Sequence, residues 1–488
     1  MKKLICLAAL SAVISVFAQT ARSNEAPVAN PPQFIVIGSD DNTDAEALLW
    51  MIDVLNRGRN HDGSRRYMSF YVNTNVWNKE GLTDAVLHAY NTGHEVGNHT
   101  HSHIRSVTEK SGNDFTTRMS VDDIYDNIKQ ATDAMIELGI PKEHQFGFRT
   151  PFLAYGNETF EAMQRVEFLY DCSIESGWDT EPGTYSWPYT LDVIEDTDNV
   201  IDEYGNLAWD NSDKRNWWGR KVGDKKPNYV GEHPGLWLLI ATSVEIATED
   251  RNVTVEKADW MGAGTWLTSG LDYNIWDKGA GFALDSGQTV RALMHTVEAS
   301  LNGNRAPFNY GVHSQYYFEP DNKFKNIDKQ HRAESFREFV KQASQLEDVW
   351  FVSGDMVIRY MENPVSAKDF NPEDYRRDGP NEEIILDIED PVSDRTTSIM
   401  GDARKKSASA TVSFKGIRNG QINLALKAGN YSVELYNLQG RLIQSVDLNA
   451  INGVNATGLR TDGLSKGTFI LNVKQEGSSV LRQKVNVR

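Results

Sequence analysis

Short apolar runs alternate with amphipathic stretches through the first three quarters of the chain. Residues 33–41 contain Phe34-Ile35-Val36-Ile37 and read as a buried strand. A helix is expected next. Thr43 and Glu46 form a capping-box pattern, and Leu48, Met51, Ile52 and Leu55 mark one face. Tyr67 to Asn73 reads as a second strand, ahead of a helix-like stretch at 81–92. From Val121 to Leu138 the apolar residues Val121, Ile124, Ile128, Ala131, Met135 and Leu138 keep helical spacing. Ser120 can cap that helix, and Gly139 with Pro141 ends it. Phe146-Gly147-Phe148 is a further strand. Phe336, Phe339, Val340 and Ala343 mark a helix, followed by the strand Val349 to Val352 and a last helix near 354–362. Strands alternating with helices predict an α/β sheet or barrel, with reactive residues just after the strands.

Three regions break this rhythm. Nine of the twelve tryptophans fall between 178 and 276: Trp178, Trp187, Trp209, Trp217, Trp218, Trp237, Trp260, Trp266 and Trp276. Periodicity is weak there, so 178–300 reads as an insertion in an α/β core spanning 30–363. Its tryptophans are either platforms for sugar rings or packing residues. Residues 364–407 are polar and acidic and read as a linker. From 408 to 488 the pattern changes to strict alternation, as in Tyr431, Val433, Leu435 and in Phe469, Leu471, Val473, which predicts a small β-sandwich.

The N-terminus has the pattern of a signal peptide over residues 1–18: Lys2 and Lys3, an apolar stretch from Leu4 to Phe17, and Val16-Phe17-Ala18 as a cleavage site. No transmembrane segment is expected. The formal charge is −18, which repels phosphates and argues against a nucleic acid partner. Of two cysteines, Cys6 lies in the signal segment, so Cys172 has no intrachain disulfide partner.

The chemistry concentrates at three points. Asp40-Asp41 ends the first strand, His99-Thr100-His101-Ser102-His103 follows about sixty residues later, and Arg149-Thr150-Pro151 ends another strand. Singly these are weak signals. An aspartate pair can serve a helix dipole, and a His-x-x-x-His can be a polar pair in a loop. Together they outline a metal site with one carboxylate to spare, as a hydrolase with a metal-bound water requires. His101 would share a strand face with His99 and His103, as a fourth ligand or a solvated neighbour.

Ser39-Asp40-Asp41-Asn42, His99 through His103 and Arg149-Thr150-Pro151-Phe152 resemble the first three motifs of the polysaccharide deacetylase family, the NodB-like group or carbohydrate esterase family 4. Asp171-Cys172-Ser173 with Trp178 resembles the fourth, and Asn304-Arg305-Ala306-Pro307 leading to Gly311-Val312-His313 the fifth. The order is correct over about residues 33–362. Phe168-Leu169-Tyr170-Asp171 and Trp187-Pro188-Tyr189-Thr190-Leu191 are similar to the chitin-deacetylase-like branch. Asn42 stands where glycine is frequent in the family, and Phe152 where tyrosine is common.

The resemblance implies a distorted (β/α) barrel followed by the C-terminal sandwich. It implies that Asp41, His99 and His103 hold one divalent metal, zinc first, with cobalt or nickel as substitutes. It further implies Asp40 as general base, Arg149 as its anchor, Asp171 as the group orienting Arg149, and the Phe152 backbone N–H as oxyanion donor. His313 would be the acid, and Pro151 and Trp178 would touch substrate. The expected substrate is an acetylated polysaccharide, by preference an N-acetylglucosamine polymer such as chitin or peptidoglycan. Acetylxylan hydrolysis by the same mechanism and glycan binding with little turnover are the alternatives. The tail, Gly429-Asn430-Tyr431 through Gly463-Leu464-Ser465-Lys466-Gly467, resembles sorting modules of type IX secretion. That implies export by secretion machinery to the medium or surface of a Gram-negative bacterium.

Overall fold

The computed structural model describes residues 23–385 and 413–487, apart from 111–113, 177–181, 193–231 and a few positions within 253–265, 320–326 and 419–477. The signal segment lies outside the described residues. The main sheet has nine strands: β1 (Gln33–Asp40), β2 (Ser69–Val72), β3 (Glu95–Asn98), β4 (Gly147–Phe148), β5 (Tyr170–Asp171), β6 (Tyr189–Leu191), β7 (His233–Leu238), β8 (Phe308–His313) and β9 (Val349–Val352). Their order is β8-β1-β2-β3-β4-β5-β7-β6, with β9 also pairing β1. All pairings are parallel except β6 with β7. The result is a curled half-barrel wrapped by helices, as the alternating pattern predicts.

Every residue of β1 is buried. Successive side chains of a strand point to opposite faces, so β1 feeds two cores. Ile35 and Ile37 pack with Leu48, Met51, Ile52 and Phe339, from helices α1 (Ala45–Asn56) and α7 (Lys329–Ala343). Phe34 and Val36 pack inward with Tyr71, Tyr170, Trp237 and Trp350. Both faces being covered is what a parallel sheet requires. Helix α1 starts one residue later than expected: Asp44, not Thr43, accepts the Ala47 N–H, at 2.9 Å. Helix α3 (Val121–Leu138) follows its pattern, with Ser120 accepting from the Asp123 N–H and Gly139 in the left-handed region at φ 105°.

The tryptophan-rich region is not one inserted block. Strands β6 and β7 and helix α6 (Ser286–Asn302) lie inside it, and Trp237 of β7 pairs with Tyr170 of β5. Trp187, Trp237 and Trp276 are buried core residues, so packing is their role. Trp178, Trp209, Trp217, Trp218 and Trp260 lie outside the described residues. Trp237→Ala is expected to destabilise the domain by about 3–5 kcal/mol, read as a lower denaturation midpoint; an unchanged midpoint would contradict this placement.

The expected linker also begins later than residue 364. Ala367, Phe370 and Tyr375 pack on Phe34 and Tyr360, and the buried Arg377 donates to the Tyr90 carbonyl at 2.7 Å. Acidic composition hid these spaced aromatic anchors. Residues 386–412 lie outside the described residues. The C-terminal module has a three-stranded sheet (Ser413–Arg418, Gln421–Leu426, Gly453–Arg460) and a four-stranded sheet (Gly429–Tyr436, Leu442–Ala450, Gly467–Gln475, Ser478–Val487). Leu424, Val433, Leu435, Leu471 and Val473 form one shared core, as in a sandwich. Among the described residues no helix is long and apolar enough to cross a membrane.

Candidate active site

The site lies at the C-terminal ends of β1, β3, β4 and β8. Each of the first three strands runs into backbone with positive φ: Asp41 at 61° and Asn42 at 55°, Thr100 at 66° and His103 at 52°, Phe152 at 59° and Leu153 at 51°. Such conformations cost energy in non-glycine residues and persist where the surroundings over-determine them. Asn42 illustrates how. Its amide donates to the Ser39 and Tyr71 carbonyls at 2.7 and 3.0 Å, and its oxygen accepts from Ser39 and Ser314 hydroxyls at 2.6 and 3.1 Å. Asparagine thus fills a left-handed position where glycine would also fit.

The turn separates the two aspartates. Asp41 Oδ1 lies 3.5 Å from His99 Nε2 and 3.0 Å from His103 Nε2, and the three donor atoms lie within 4.8 Å of one another. These spacings fit one metal bound at about 2.0–2.2 Å to each atom. His99 Nδ1–H donates to the Arg149 carbonyl at 2.6 Å, which turns the Nε2 lone pair toward Asp41. Gln315 donates to the other Asp41 oxygen at 3.2 Å. Burial would raise the Asp41 carboxyl, but hydrogen bonds from His103 and His99 outweigh it and hold it far below the usual carboxylate range. The donor set therefore suits a divalent metal ion. His101 is not part of it. Residues 99–103 form a loop, not a strand, and His101 Nδ1 instead lies 2.7 Å from Thr74 Oγ1.

Asp40 is 4% exposed, and its Oδ1 accepts from Arg149 Nη1 at 3.0 Å. Arg149 is 1% exposed and further donates to the Cys172 and Gly38 carbonyls and to Asn309 Oδ1, at 3.2, 3.3 and 3.3 Å. Its guanidinium also stacks on the Tyr71 ring at 4.6 Å. Room for it comes from Gly38 of β1; its cross-strand partner Gly311 of β8 makes room chiefly for Leu271. A Cβ on Gly38 would lie 2.9 Å from Arg149 Nη1 and from Tyr71 Cε2. Gly38→Ala is thus expected to push Arg149 off Asp40 and lower kcat at least about tenfold while the protein still folds. Wild-type kcat in that variant would contradict this role.

Asp171 acts on Arg149 through its charge, not through a direct hydrogen bond. Its oxygens accept from the Ser173 N–H and hydroxyl at 2.9 and 2.6 Å, and Ser173 Oγ accepts from the Thr150 N–H at 2.7 Å. It therefore braces the loop backbone after Arg149. Burial pushes its carboxyl up to about 7, with the Ser173 hydrogen bonds opposing. The side-chain anchor the sequence reading missed is Asn309, on β8 beside β1.

His313 is the cross-strand partner of Asp40. Its Nδ1 lies 2.8 Å from Asp272 Oδ1, its N–H donates to Asp272 Oδ2 at 2.8 Å, and Tyr316 stacks on its ring. Asp272 is fully buried and was also missed. It sits 41 residues before His313, so no local spacing reveals it. Burial would lower the His313 pKa, but the Asp272 charge and hydrogen bond, with Asp41 and Asp40, raise it to about 9. Pro151 is buried, whereas the Phe152 side chain is 46% exposed at the mouth. Trp178 lies outside the described residues.

Residues 65–170 match the family model described as "Polysaccharide deacetylase", and residues 418–488 match "Secretion system C-terminal sorting domain". The chain therefore carries a polysaccharide deacetylase domain and a secretion-type C-terminal sorting domain. The first match includes His99, His103 and Arg149. The chain is also 25% identical over 335 residues to chitin deacetylase 8 of Bombyx mori, covering 68% of this chain and 71% of that protein. Among solved structures, a family 4 carbohydrate esterase from Streptomyces lividans in complex with acetate aligns over 29% of this chain and 62% of its own, at 12% identity and TM-score 0.23. A mutant of a CE4 family pseudoenzyme with restored enzymatic activity aligns over 28% of this chain and 43% of its own, at 17% identity and TM-score 0.22. The chain thus spans less than two thirds of either structure.

Proposed function

We propose that this protein hydrolyses acetyl groups from N-acetylglucosamine polymers, chitin or peptidoglycan, with one divalent metal held by Asp41, His99 and His103. The observation that carries the reading is the pairing of Asp40 with His313 across β1 and β8, beside that ligand set. When bound, the metal polarises the acetyl carbonyl and makes its water more acidic. Asp40 takes the proton of the attacking water, and Arg149 fixes the direction of its carboxylate. The Phe152 backbone N–H faces the developing oxyanion. His313 gives a proton to the departing amine, with Asp272 holding Nδ1 so that Nε2 faces the substrate. The C-terminal module would pass the enzyme to secretion machinery, for release from or display on a Gram-negative cell.

Acetate release from chitin oligomers, peptidoglycan and acetylxylan tests the assignment. Turnover is expected on the N-acetylated glycans; turnover confined to acetylxylan would overturn the amide reading. The raised His313 pKa adds a pH test. The imidazolium is present below about 9 and is lost as pH rises through that value. Asp272→Asn removes its main support, so the alkaline limb of kcat/KM should move about one unit or more toward lower pH. A limb that stays in place would show that His313 is not the acid.

A further inference from the structure

We infer that Arg105 selects glycans that carry a carboxylate on or beside the acetylated sugar. The inference rests on the deacetylase reading for its location but not for its chemistry. Arg105 lies two residues beyond His103. Its guanidinium carbon sits 4.3 Å from the centre of the Phe152 ring, and that ring lies 4.4 Å from the His103 ring. One aromatic ring therefore separates a cation from the metal ligands. The left-handed backbone at Phe152 turns its side chain outward, so the pair forms part of the mouth of the site.

Among the described residues no carboxylate pairs with this cation. Arg149, Arg291 and Arg305 pair with Asp40, Asp250 and Asp348; Arg66 and Arg377 are buried and donate to hydroxyl and carbonyl oxygens, whereas Arg105 stands at the mouth of the site. In a chain with 68 acidic and 50 basic residues, Arg105 is a half-buried arginine beside the reacting centre with no carboxylate partner among the described residues. Partial desolvation without a counter-charge is unfavourable and is relieved by an anionic ligand. The planar fork of arginine matches a carboxylate with two parallel hydrogen bonds.

Tyr273 stands across the mouth, its ring 5.8 Å from that of His313. A sugar over Phe152, with its acetamide toward His103, would bring a neighbouring substituent to Arg105 and Tyr273. The net charge of −18 repels anions at long range, but charges separated by more than about 8–10 Å are screened at physiological salt. Local pairing therefore decides.

The test uses the full, metal-loaded chain and two soluble probes. One is an N-acetylglucosaminyl-N-acetylmuramic acid disaccharide with a free lactyl carboxylate; the other is neutral N,N′-diacetylchitobiose. Calorimetric or NMR titration should give at least about tenfold tighter binding of the acidic probe, a preference that weakens with salt. Arg105→Gln should cost the acidic probe at least about tenfold more than the neutral one, and Arg105→Lys should restore part of the preference. Equal affinities in the wild type would overturn the inference. So would an Arg105→Gln loss that is the same for both probes, the mark of an arginine that merely covers Phe152. Binding is read without turnover. A clear preference without acetate release would count against the deacetylase reading alone, and acetate release without a preference would count against Arg105 alone.

Discussion

Asp40→Asn should remove nearly all acetate release, lowering kcat by about 100- to 10,000-fold, with the fold and metal content retained. The substitution keeps the size of the side chain and its acceptor oxygen for Arg149 Nη1, now 3.0 Å away. It removes the site that accepts a proton. The ligand set Asp41, His99 and His103 is untouched, because positive φ at Asp41 turns its side chain away from that of its neighbour. Substrate binding should change little, so KM should stay within a few-fold while kcat collapses, the pattern of an interaction made only in the transition state. Acetate assays with metal analysis on the same sample check this. Retained kcat in a metal-loaded Asp40→Asn protein would assign the base elsewhere.

Arg149→Met should be the most damaging single change to stability near the site, at about 3–5 kcal/mol. The residue is almost fully buried, and its removal leaves Asp40 as a buried charge without its partner. It also leaves the Cys172 and Gly38 carbonyls and Asn309 Oδ1 without this donor. Unfolding in denaturant measures the loss. A lysine at the same place would bring a point charge but not the fork that reaches four acceptors, so Arg149→Lys should regain part of the stability and little of the kcat. Wild-type stability for Arg149→Met would mean that Asp40 is held by other groups.

Much of the site was legible because strand-end chemistry travels with short apolar runs. Phe34 to Ile37 announces β1, and the residues just after it had to lie at the rim where α/β sheets place their reactive groups. Side-chain partners across the sheet were not legible. Asp171 is near Arg149 in sequence terms and looked like its brace, whereas Asn309 and Asp272 come from distant segments with no shared spacing. Gly38 stood in plain view, but only the folded sheet shows that it makes room for the Arg149 guanidinium. Strand periodicity left His101 as either a fourth ligand or a solvated neighbour, and the left-handed turn at Thr100 decides against the ligand by sending it to Thr74. Asp44 took the cap expected of Thr43 because the tight turn through Asp41 and Asn42 delays the helix by one residue. In the tryptophan-rich segment, loop-like composition concealed two strands of the main sheet.

The central claim is that Asp41, His99 and His103 hold a metal without which Asp40 and His313 cannot remove an acetyl group. Stripping the protein with a chelator and re-adding zinc or cobalt, while following acetate release from a chitin oligomer, tests it most directly. Activity should vanish on stripping, return at about one metal per chain, and fail to return in His99→Ala. Acetate release that persists in fully stripped protein, or that returns equally well in His99→Ala, would contradict it.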